Sequence, residues 1–445
     1  MLREAWTLAI ETLSWIELQR LGERLALAKA AKQLEIQDVK VAGLAHKLVF
    51  ETLRRRNLLD FIINQALAPR TLRDFKLGPQ AFLRLYTYET RFVKSDFTKA
   101  ANVAKLGRSI LGWRALKEVE EVLGRILSTQ FDAALKRVGD EERIALLTCN
   151  PLWFVKYCFQ LLGRAKALQF LESATRPLPI NLRINTLKAR EENILKKLEN
   201  EGIRTEKVSQ LTHTYKLLEA KGSSVRTRSF REGLFYIQDK ASCLAAEIAN
   251  PSSGMTVLDV CAAPGAKTTY MAQLMQNKGE IYSIDYSKRR MQIWKRQMKR
   301  MGIKIAVPVI ADVCRPLPLR LSSDLVVLDP PCTSTGAFSK MPSAKWRLTK
   351  RSVLHMAQIQ WKMLQQCAER VIEGGYLIYS TCSVTLEENE MLIEKFLKWH
   401  PEFMLENTQP RIGLPGLRGQ AKCQRLYPHL HKCNGFFIAK LLKTE

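Results

Sequence analysis

Along the first third of the chain, apolar residues return every three or four positions. Leu2, Ala5, Trp6, Ala9, Ile10, Leu13 and Ile16 fall on one helical face. The same spacing recurs in Val41, Ala42, Ala45, Leu48, Val49 and Leu53, and again in Phe82, Leu85, Tyr86 and Phe92. Pro69 and the pair Gly78-Pro79 mark helix breaks. The pattern predicts an all-α bundle over residues 1–135. Over 136–235 the texture changes. Pro151 opens a helix with Trp153, Phe154, Val155 and Phe159, and a second helix runs through Leu168, Phe170 and Leu171. A strand-like alternation follows from Ile180 to Asn185, then a helix at 190–201 and shorter strands, which together make a small α+β domain. Over 236–445 strands near 255–260, 280–284, 305–310, 324–328, 375–380 and 435–442 alternate with helices near 267–277, 287–301, 352–372 and 387–399. Such alternation implies an α/β domain with a mostly parallel sheet covered on both faces. The last strand lacks a preceding crossover helix and is expected to run antiparallel.

Composition narrows the class. A chain of 445 residues with 46% hydrophobic and 25% charged residues has material for two or three ordinary cores. No apolar run is long enough for a membrane span, and the N-terminal MLREAWTLAIETLSW lacks a signal-peptide profile. A cytoplasmic protein with no membrane partner is expected. Lys and Arg number 70 against 43 Asp and Glu, a net charge of +27. The positive residues cluster: 287–304 holds eight basic residues and no acid, and 221–231 holds four and none. Arg54-Arg55-Arg56 and the stretch with Lys340, Lys345, Arg347, Lys350 and Arg351 extend the expected positive surface. A polyanion, RNA or DNA, is the expected partner. The ten cysteines include no CxxC pair, which suits reduced thiols.

Three strand-to-turn blocks carry the chemistry. The first is Asp259-Val260-Cys261-Ala262-Ala263-Pro264-Gly265-Ala266-Lys267-Thr268. Its small residues let a ligand approach the backbone at a helix N-terminus. It lacks GxGxxG, and Val260 stands where a phosphate loop needs its first glycine, which excludes a nucleotide triphosphatase. Asp285 ends the second strand, where an acid takes ribose hydroxyls, and Asp312 ends the third, where an acid suits an adenine amino group. A single Asp at such a place is ordinarily a cap or turn residue; three at successive strand ends point instead to S-adenosylmethionine. The candidate cofactor contacts are Cys261, Ala262, Ala263, Pro264, Gly265, Ala266, Lys267, Asp285, Arg290, Asp312 and Asp329.

The other two blocks each hold a cysteine: Asp329-Pro330-Pro331-Cys332 and Tyr379-Ser380-Thr381-Cys382-Ser383. The first resembles the D/N-P-P-aromatic signature of amine methyltransferases, with a thiol where the base-stacking aromatic would stand. A thiol there points to a pyrimidine ring, because carbon 5 of cytosine becomes nucleophilic once a thiolate adds at carbon 6. Asp329 is placed to serve ring nitrogen 3, and a second cysteine can assist release. Which thiol attacks stays open from the residues alone, since a Pro-Cys nucleophile would nominate Cys332. Cys149, Cys158, Cys243, Cys314 and Cys367 read as inert packing thiols, and Cys261 also suits packing. Cys423, His429, His431 and Cys433 lie within eleven residues, but their spacing fits no usual zinc motif, so no metal is expected.

Together DVCAAPGAKTT, SIDYSKRR, ADV, LDPPCTSTG, YSTCSVTLEENE and RLYPHLHKCNGFFIAKL resemble the Sun (Fmu-like) family of RNA cytosine carbon-5 methyltransferases, related to the Nop/Nsun enzymes. The stretch QDVKVAGLAHKLVFETLRRRNLLDFIINQAL resembles a NusB-like helical domain, and PINLRINTLKA a small RNA-binding domain. The resemblance implies a NusB-like bundle over 1–135, an RNA-binding α+β domain over 136–235, and a Rossmann-like class I methyltransferase domain over 236–445. It implies Cys382 as nucleophile, Cys332 in product release, and Lys267 near the base. Gly265-Ala266 stands where the family often has Gly-Gly, and Pro330 where it often has Ala. Arg289, Arg290, Lys295 and Arg296 are candidate phosphate contacts. Small-subunit ribosomal RNA is the implied substrate, transfer RNA the alternative, and no obligate protein partner is expected. The rivals are amine methylation and a non-catalytic ribosome-assembly factor.

Overall fold

The computed structural model describes residues 1–93, 96–317 and 321–444, and the chain divides into two compact units. The first comprises Met1–Pro177 with Phe338–Thr349. Its core is built by helices Leu2–Gln19, Val39–Arg54 and Leu77–Arg91, whose Trp6, Leu13, Val49, Phe82 and Leu85 are buried in one cluster. Asp38 caps Val39–Arg54 by accepting from the backbone N–H of Lys40 at 2.6 Å. Gly78-Pro79 does not break a helix but lies in the first turn of Leu77–Arg91, where proline's missing N–H removes no helical bond. Phe92 lies one residue beyond that helix and stays 36% exposed, off the buried face that spacing assigned it. Residues 136–177 are helical and group with this unit.

Several basic residues expected at the surface are consumed here. Arg54 and Arg55 both pair with Glu51, and Arg56 pairs with Glu17 at 2.9 Å. Lys345 is fully buried, donating to the carbonyls of Cys149 at 2.7 Å and Arg54 at 3.0 Å. Burial pushes its ammonium down to about 7. Trp346 Nε1 donates to Leu53 O at 2.7 Å, which helps seat the 338–349 segment.

The second unit comprises Leu178–Ala337 with Lys350–Glu445 and holds two sheets. The small one contains β1 (Asn181–Ile184), β2 (Ile203–Lys207), β3 (Thr214–Ala220) and β4 (Phe235–Ile237) in the antiparallel order β2-β3-β1-β4. Helix Glu191–Asn200 buries Ile194 and Leu198 with Leu182, Ile184 and Phe235.

The large sheet contains β5 (Thr256–Val260), β6 (Glu280–Ile284), β7 (Ala306–Val309), β8 (Ser323–Leu328), β9 (Val371–Thr381), β10 (Phe403–Glu406), β11 (Leu414–Pro415), β12 (Gln424–Leu426) and β13 (Phe436–Lys443). Its order is β11-β12-β13-β9-β8-β5-β6-β7, with β10 paired to β13. Strands β5 to β9 pair in parallel and β13 runs antiparallel to β9, as the pattern predicts. Both faces are covered: Leu258, Val326, Leu328 and Leu377 join one core cluster, and Val257, Leu325, Val327 and Ile378 the other. Cys423 belongs to the first cluster and Cys433 to the second, on opposite faces, so the two cannot share a metal ion. No helix among the described residues is long and apolar enough to cross a membrane.

Arg183 ties the small sheet to the helix Ala266–Leu274 that follows β5. It is fully buried, with Nη1 donating to Gln273 Oε1 at 3.0 Å and Nη2 to Thr269 Oγ1 at 2.7 Å. Tyr270 and Tyr236 lie 4.7 and 5.5 Å from its guanidinium carbon. With no carboxylate in ion-pair range among the described residues, burial lowers its pKa to about 10.

The turn after β8 passes under β13 at two glycines. Gly336 N donates to Cys382 O at 2.9 Å and Gly435 N donates to Gly336 O at 2.8 Å. A Cβ on Gly336 would sit 2.2 Å from Gly435 O. Gly336→Ala is therefore expected to lose about 1–3 kcal/mol in urea unfolding. Gly124→Ala, whose Cβ meets nothing within 4 Å on helix Glu120–Ser128, should gain up to about 1 kcal/mol. Equal midpoints for the two variants would contradict the close approach.

Candidate active site

Five parallel strands end along one edge of the large sheet in the order β7-β6-β5-β8-β9. The chain steps outward from β5 to β7 and returns to β8 on the other flank. The ends of β5 and β8 therefore border a switch point, the usual ligand crevice of such sheets.

After β5, Ala262 and Ala263 are buried while Pro264 is exposed, with the peptide between Ala263 and Pro264 cis. Gly265 caps helix Ala266–Leu274 at φ 106°, and a Cβ there would lie 2.6 Å from Met298 Cε. The positive φ is what demands glycine there, and a Cβ would in addition crowd Met298 and Trp294 of the helix Lys288–Met301. Cys261 has φ 64°, and burial raises its thiol well above the usual range, consistent with packing. Asp285 is buried just past β6, its carboxylate accepting from Ser287 N at 3.0 Å and Ala263 N at 3.3 Å. Arg290 Nη1 reaches Asp285 at 3.1 Å, and Nη2 donates to Ala263 O. All four candidate phosphate contacts are exposed, and of them Arg290 is also paired onto the loop. Asp312 lies past the end of β7 rather than at it, accepting from Cys314 N at 3.0 Å in a turn. Cys314 is half-exposed, not buried.

Asp259 is buried in β5 and accepts from Thr268 Oγ1 at 2.5 Å; Trp294 Nε1 donates to that hydroxyl oxygen at 3.1 Å. Burial pushes its carboxyl up to about 7. Across the switch point, Lys267 Nζ meets Asp329 Oδ2 at 2.5 Å, and Ser380 Oγ donates to Asp329 Oδ1 at 3.3 Å. The lysine is 6% exposed and the aspartate 36%.

Cys332 and Cys382 sit in the turns after β8 and β9, which are neighbours, and their Sγ atoms are 3.2 Å apart. Ser334 Oγ is 3.3 Å from Cys382 Sγ and 3.9 Å from Cys332 Sγ. Ser334 holds φ 56°, an uncommon conformation for a non-glycine residue. The hydrogen bond between the thiols lowers the pKa of Cys382 and raises that of Cys332. As a thiol Cys382 donates to Ser334 Oγ; as a thiolate it would accept from that hydroxyl and from the Cys332 thiol.

Sequence reasoning missed the residues that hold these turns. Helix 387–399 was expected, but the helix is Glu390–Trp399, and Glu388 and Asn389 turn inward before it. Glu388 accepts from Thr333 N at 2.8 Å, Gln360 Nε2 at 2.9 Å, Ser383 Oγ at 2.6 Å and Thr385 Oγ1 at 2.8 Å, and also from Thr333 Oγ1. Asn389 accepts from Thr381 Oγ1 at 2.6 Å, and buried Glu390 pairs with Arg425. The only signal was a cluster of acids beside a cysteine motif.

The crevice carries the carboxylates of Asp259, Asp285, Asp312 and Asp329. Among the described residues, Lys267 is paired with Asp329, Arg290 with Asp285 and Arg315 with Asp312. That set offers acceptors to hydroxyl and amino groups and leaves no free cation in the loop for a pyrophosphate. It fits a positively charged nucleoside sulfonium.

A family model described as 16S rRNA methyltransferase RsmB/F matches residues 246–442, and one described as Methyltr_RsmF/B-like, ferredoxin-like domain matches 150–223. The chain is 30% identical to the Bacillus subtilis (strain 168) protein named probable ribosomal RNA small subunit methyltransferase B, covering 98% of each. It is 38% identical to a tRNA (cytosine(72)-C(5))-methyltransferase of Pyrococcus horikoshii over 49% of this chain and 54% of that protein. Among solved structures, PH0851 superposes with a TM-score of 0.86 at 29% identity, over 99% of each chain. NSun6 from Pyrococcus horikoshii with SFG superposes at 0.62 and 26% identity, over 66% of this chain and 98% of that one.

Asp259 makes stability depend on pH. Its folded pKa of about 7 lies above the ordinary 3.8, so its contribution is full below 3.8 and is lost as pH rises through about 7. Asp259→Asn cannot ionise and keeps an acceptor for Thr268. Its Tm relative to wild type should therefore improve between about pH 5 and about pH 8. A gap independent of pH would contradict the buried neutral carboxyl.

Proposed function

We propose a reaction from one premise: this chain belongs to the 16S rRNA methyltransferase RsmB/F family. The chain is a methyltransferase, and our reading is that it methylates carbon 5 of a cytosine in structured RNA, with S-adenosylmethionine as methyl donor. The observation that carries the reading is the 3.2 Å thiol pair beside the Lys267–Asp329 pair at the switch point. An amine methyltransferase has no use for two thiols in contact.

The residues divide the work as follows. The Cys382 thiolate adds to carbon 6 of the target cytosine, forming a C–S bond. Ring nitrogen 3 takes a proton from the Lys267–Asp329 pair as electron density moves toward carbon 5. When bound, S-adenosylmethionine supplies an electrophilic methyl group to that carbon. Asp285 and Asp312 would hold its ribose and adenine, with the backbone of 261–266 against it. A base then removes the carbon 5 proton, the C–S bond breaks to return the Cys382 thiolate, and nitrogen 3 gives back its proton. Cys332, whose sulfur lies 3.2 Å from that of Cys382, is the thiol placed to assist this release. The target base must leave any stack to reach the thiols.

Small-subunit ribosomal RNA is the favoured substrate. The relative named for the small subunit matches over 98% of this chain, helical region included, whereas the transfer RNA enzyme matches 49%. In this reading residues 1–135 and 136–235 are RNA-docking domains, the exposed Arg289, Lys295 and Arg296 contact phosphates, and the enzyme works in the cytoplasm.

Wild type, Cys332→Ala and Cys382→Ala would be incubated with total unmodified RNA and labelled S-adenosylmethionine. Wild type should leave a bisulfite-resistant cytosine. Cys382→Ala should lose activity by at least about a thousandfold. Cys332→Ala should accumulate a covalent RNA–protein band on a denaturing gel. The reverse pattern would exchange the two roles, and tight RNA binding without any methylation would favour an assembly factor.

A further inference from the structure

The mechanism above leaves Glu388 unused, yet no side chain is more deeply built into the thiol turns. It is fully buried, and among the described residues no Lys, Arg or His lies in ion-pair range of it. Five donors converge on its two oxygens, from Thr333, Gln360, Ser383 and Thr385. A carboxylate offers about four lone-pair sites, so its accepting capacity is filled.

Those donors are not scattered. Thr333 directly follows Cys332, and Ser383 directly follows Cys382. Gln360 Nε2 also donates to Pro331 O at 2.9 Å, on the other side of Cys332. One side chain thus fastens both turns at the residues next to the sulfurs. Electrostatics does not explain its presence, since the charge of Glu388 raises the pKa of both thiols and so opposes the thiolate. What it supplies is position.

We propose that Glu388 is a positioning residue for the thiol pair. It clamps the turn after β8 to the turn after β9 and so sets the distance between Cys332 and Cys382. The proposal rests on the assignment of both cysteines to methyl transfer. A shift of about 1 Å in such a pair is enough to cost about a hundredfold in rate.

Three variants separate position from charge. Glu388→Ala removes the clamp. Glu388→Gln removes the charge but keeps one acceptor oxygen for Thr333 N and Gln360, while two of the three hydroxyls can rotate to accept from its two amide N–H groups. Thr385→Val removes one donor only. Two quantities are read: the methylation kcat with KM for RNA and for S-adenosylmethionine, and the rate at which diamide joins Cys332 to Cys382, followed by peptide mapping. In that oxidation two thiols give two protons and two electrons to the N=N bond, forming one S–S bond and one hydrazine.

In folded Glu388→Ala, kcat should fall about 10- to 100-fold with both KM values nearly unchanged, and disulfide formation should slow about tenfold. Glu388→Gln should recover most of both. An unchanged kcat or oxidation rate in Glu388→Ala, or a Gln variant as defective as the Ala variant, overturns the proposal. If Glu388→Ala fails to fold, Thr385→Val decides: about a threefold loss in both readouts supports the clamp, and no loss overturns it. Absence of methylation by wild type would sink the methyl-transfer reading instead, and the oxidation rates would still decide what Glu388 does.

Discussion

Parallel neighbours in a sheet run about 4.8 Å apart. In this protein the turns after β8 and β9 converge until two sulfurs are 3.2 Å apart, within hydrogen-bond reach. Much of the second unit can be understood as serving that approach. The register of β8 with β9 brings the last residue of β8, Leu328, level with Tyr379, two residues before β9 ends at Thr381. Gly336 and Gly435 let the first turn pass beneath β13, and Gly336 N bonds to the carbonyl of Cys382 itself. The crevice at the switch point lies one strand further over, where the Lys267–Asp329 pair bridges the ends of β5 and β8.

The convergence is held by polar groups sealed away from water, an expensive way to build a core unless every group is satisfied. The solution is layered. Glu388 is surrounded by hydroxyl and amide donors, Asn389 is anchored by Thr381, and Glu390 is neutralised by Arg425, which in turn donates to Val384 O at 2.8 Å. Three successive side chains thus enter the interior in three different ways. On the far side of the crevice, Asp259 answers the same problem by holding its proton to about pH 7. Such networks favour one arrangement over others, and the geometry of the thiols depends on there being only one.

The strands and helices of the catalytic region were legible because their periods are long and their apolar residues nearly continuous. The strand expected near 280–284 is β6, Glu280–Ile284, and the helix expected near 287–301 is Lys288–Met301. Strands β10, β11 and β12 were not legible, being two to four residues long and held by pairing with β13 rather than by a pattern of their own. Both thiols and Asp329 were legible as chemistry. Their clamp was not, because Glu388 gains its meaning from a threonine 55 residues away and a glutamine 28 away. The same limit applies to charge: Arg54, Arg55, Arg56 and Lys345 count toward a basic surface in composition, but their partners are carboxylates and carbonyls inside the first unit. Composition counts charges without saying which of them meet solvent.

The central claim is that Cys382 is the thiol that joins the base and Cys332 the one that lets it go. The most direct test is to offer wild-type protein RNA in which cytidine is replaced by 5-fluorocytidine, together with S-adenosylmethionine, and to map the protein-bound nucleotide by mass spectrometry. With fluorine at carbon 5 there is no proton to remove, so the C–S bond cannot break and the adduct stays where it formed. The account predicts the nucleotide on the peptide carrying Cys382, with the methyl group already on carbon 5. A nucleotide on Cys332, or methylated RNA with no adduct on either thiol, would contradict it.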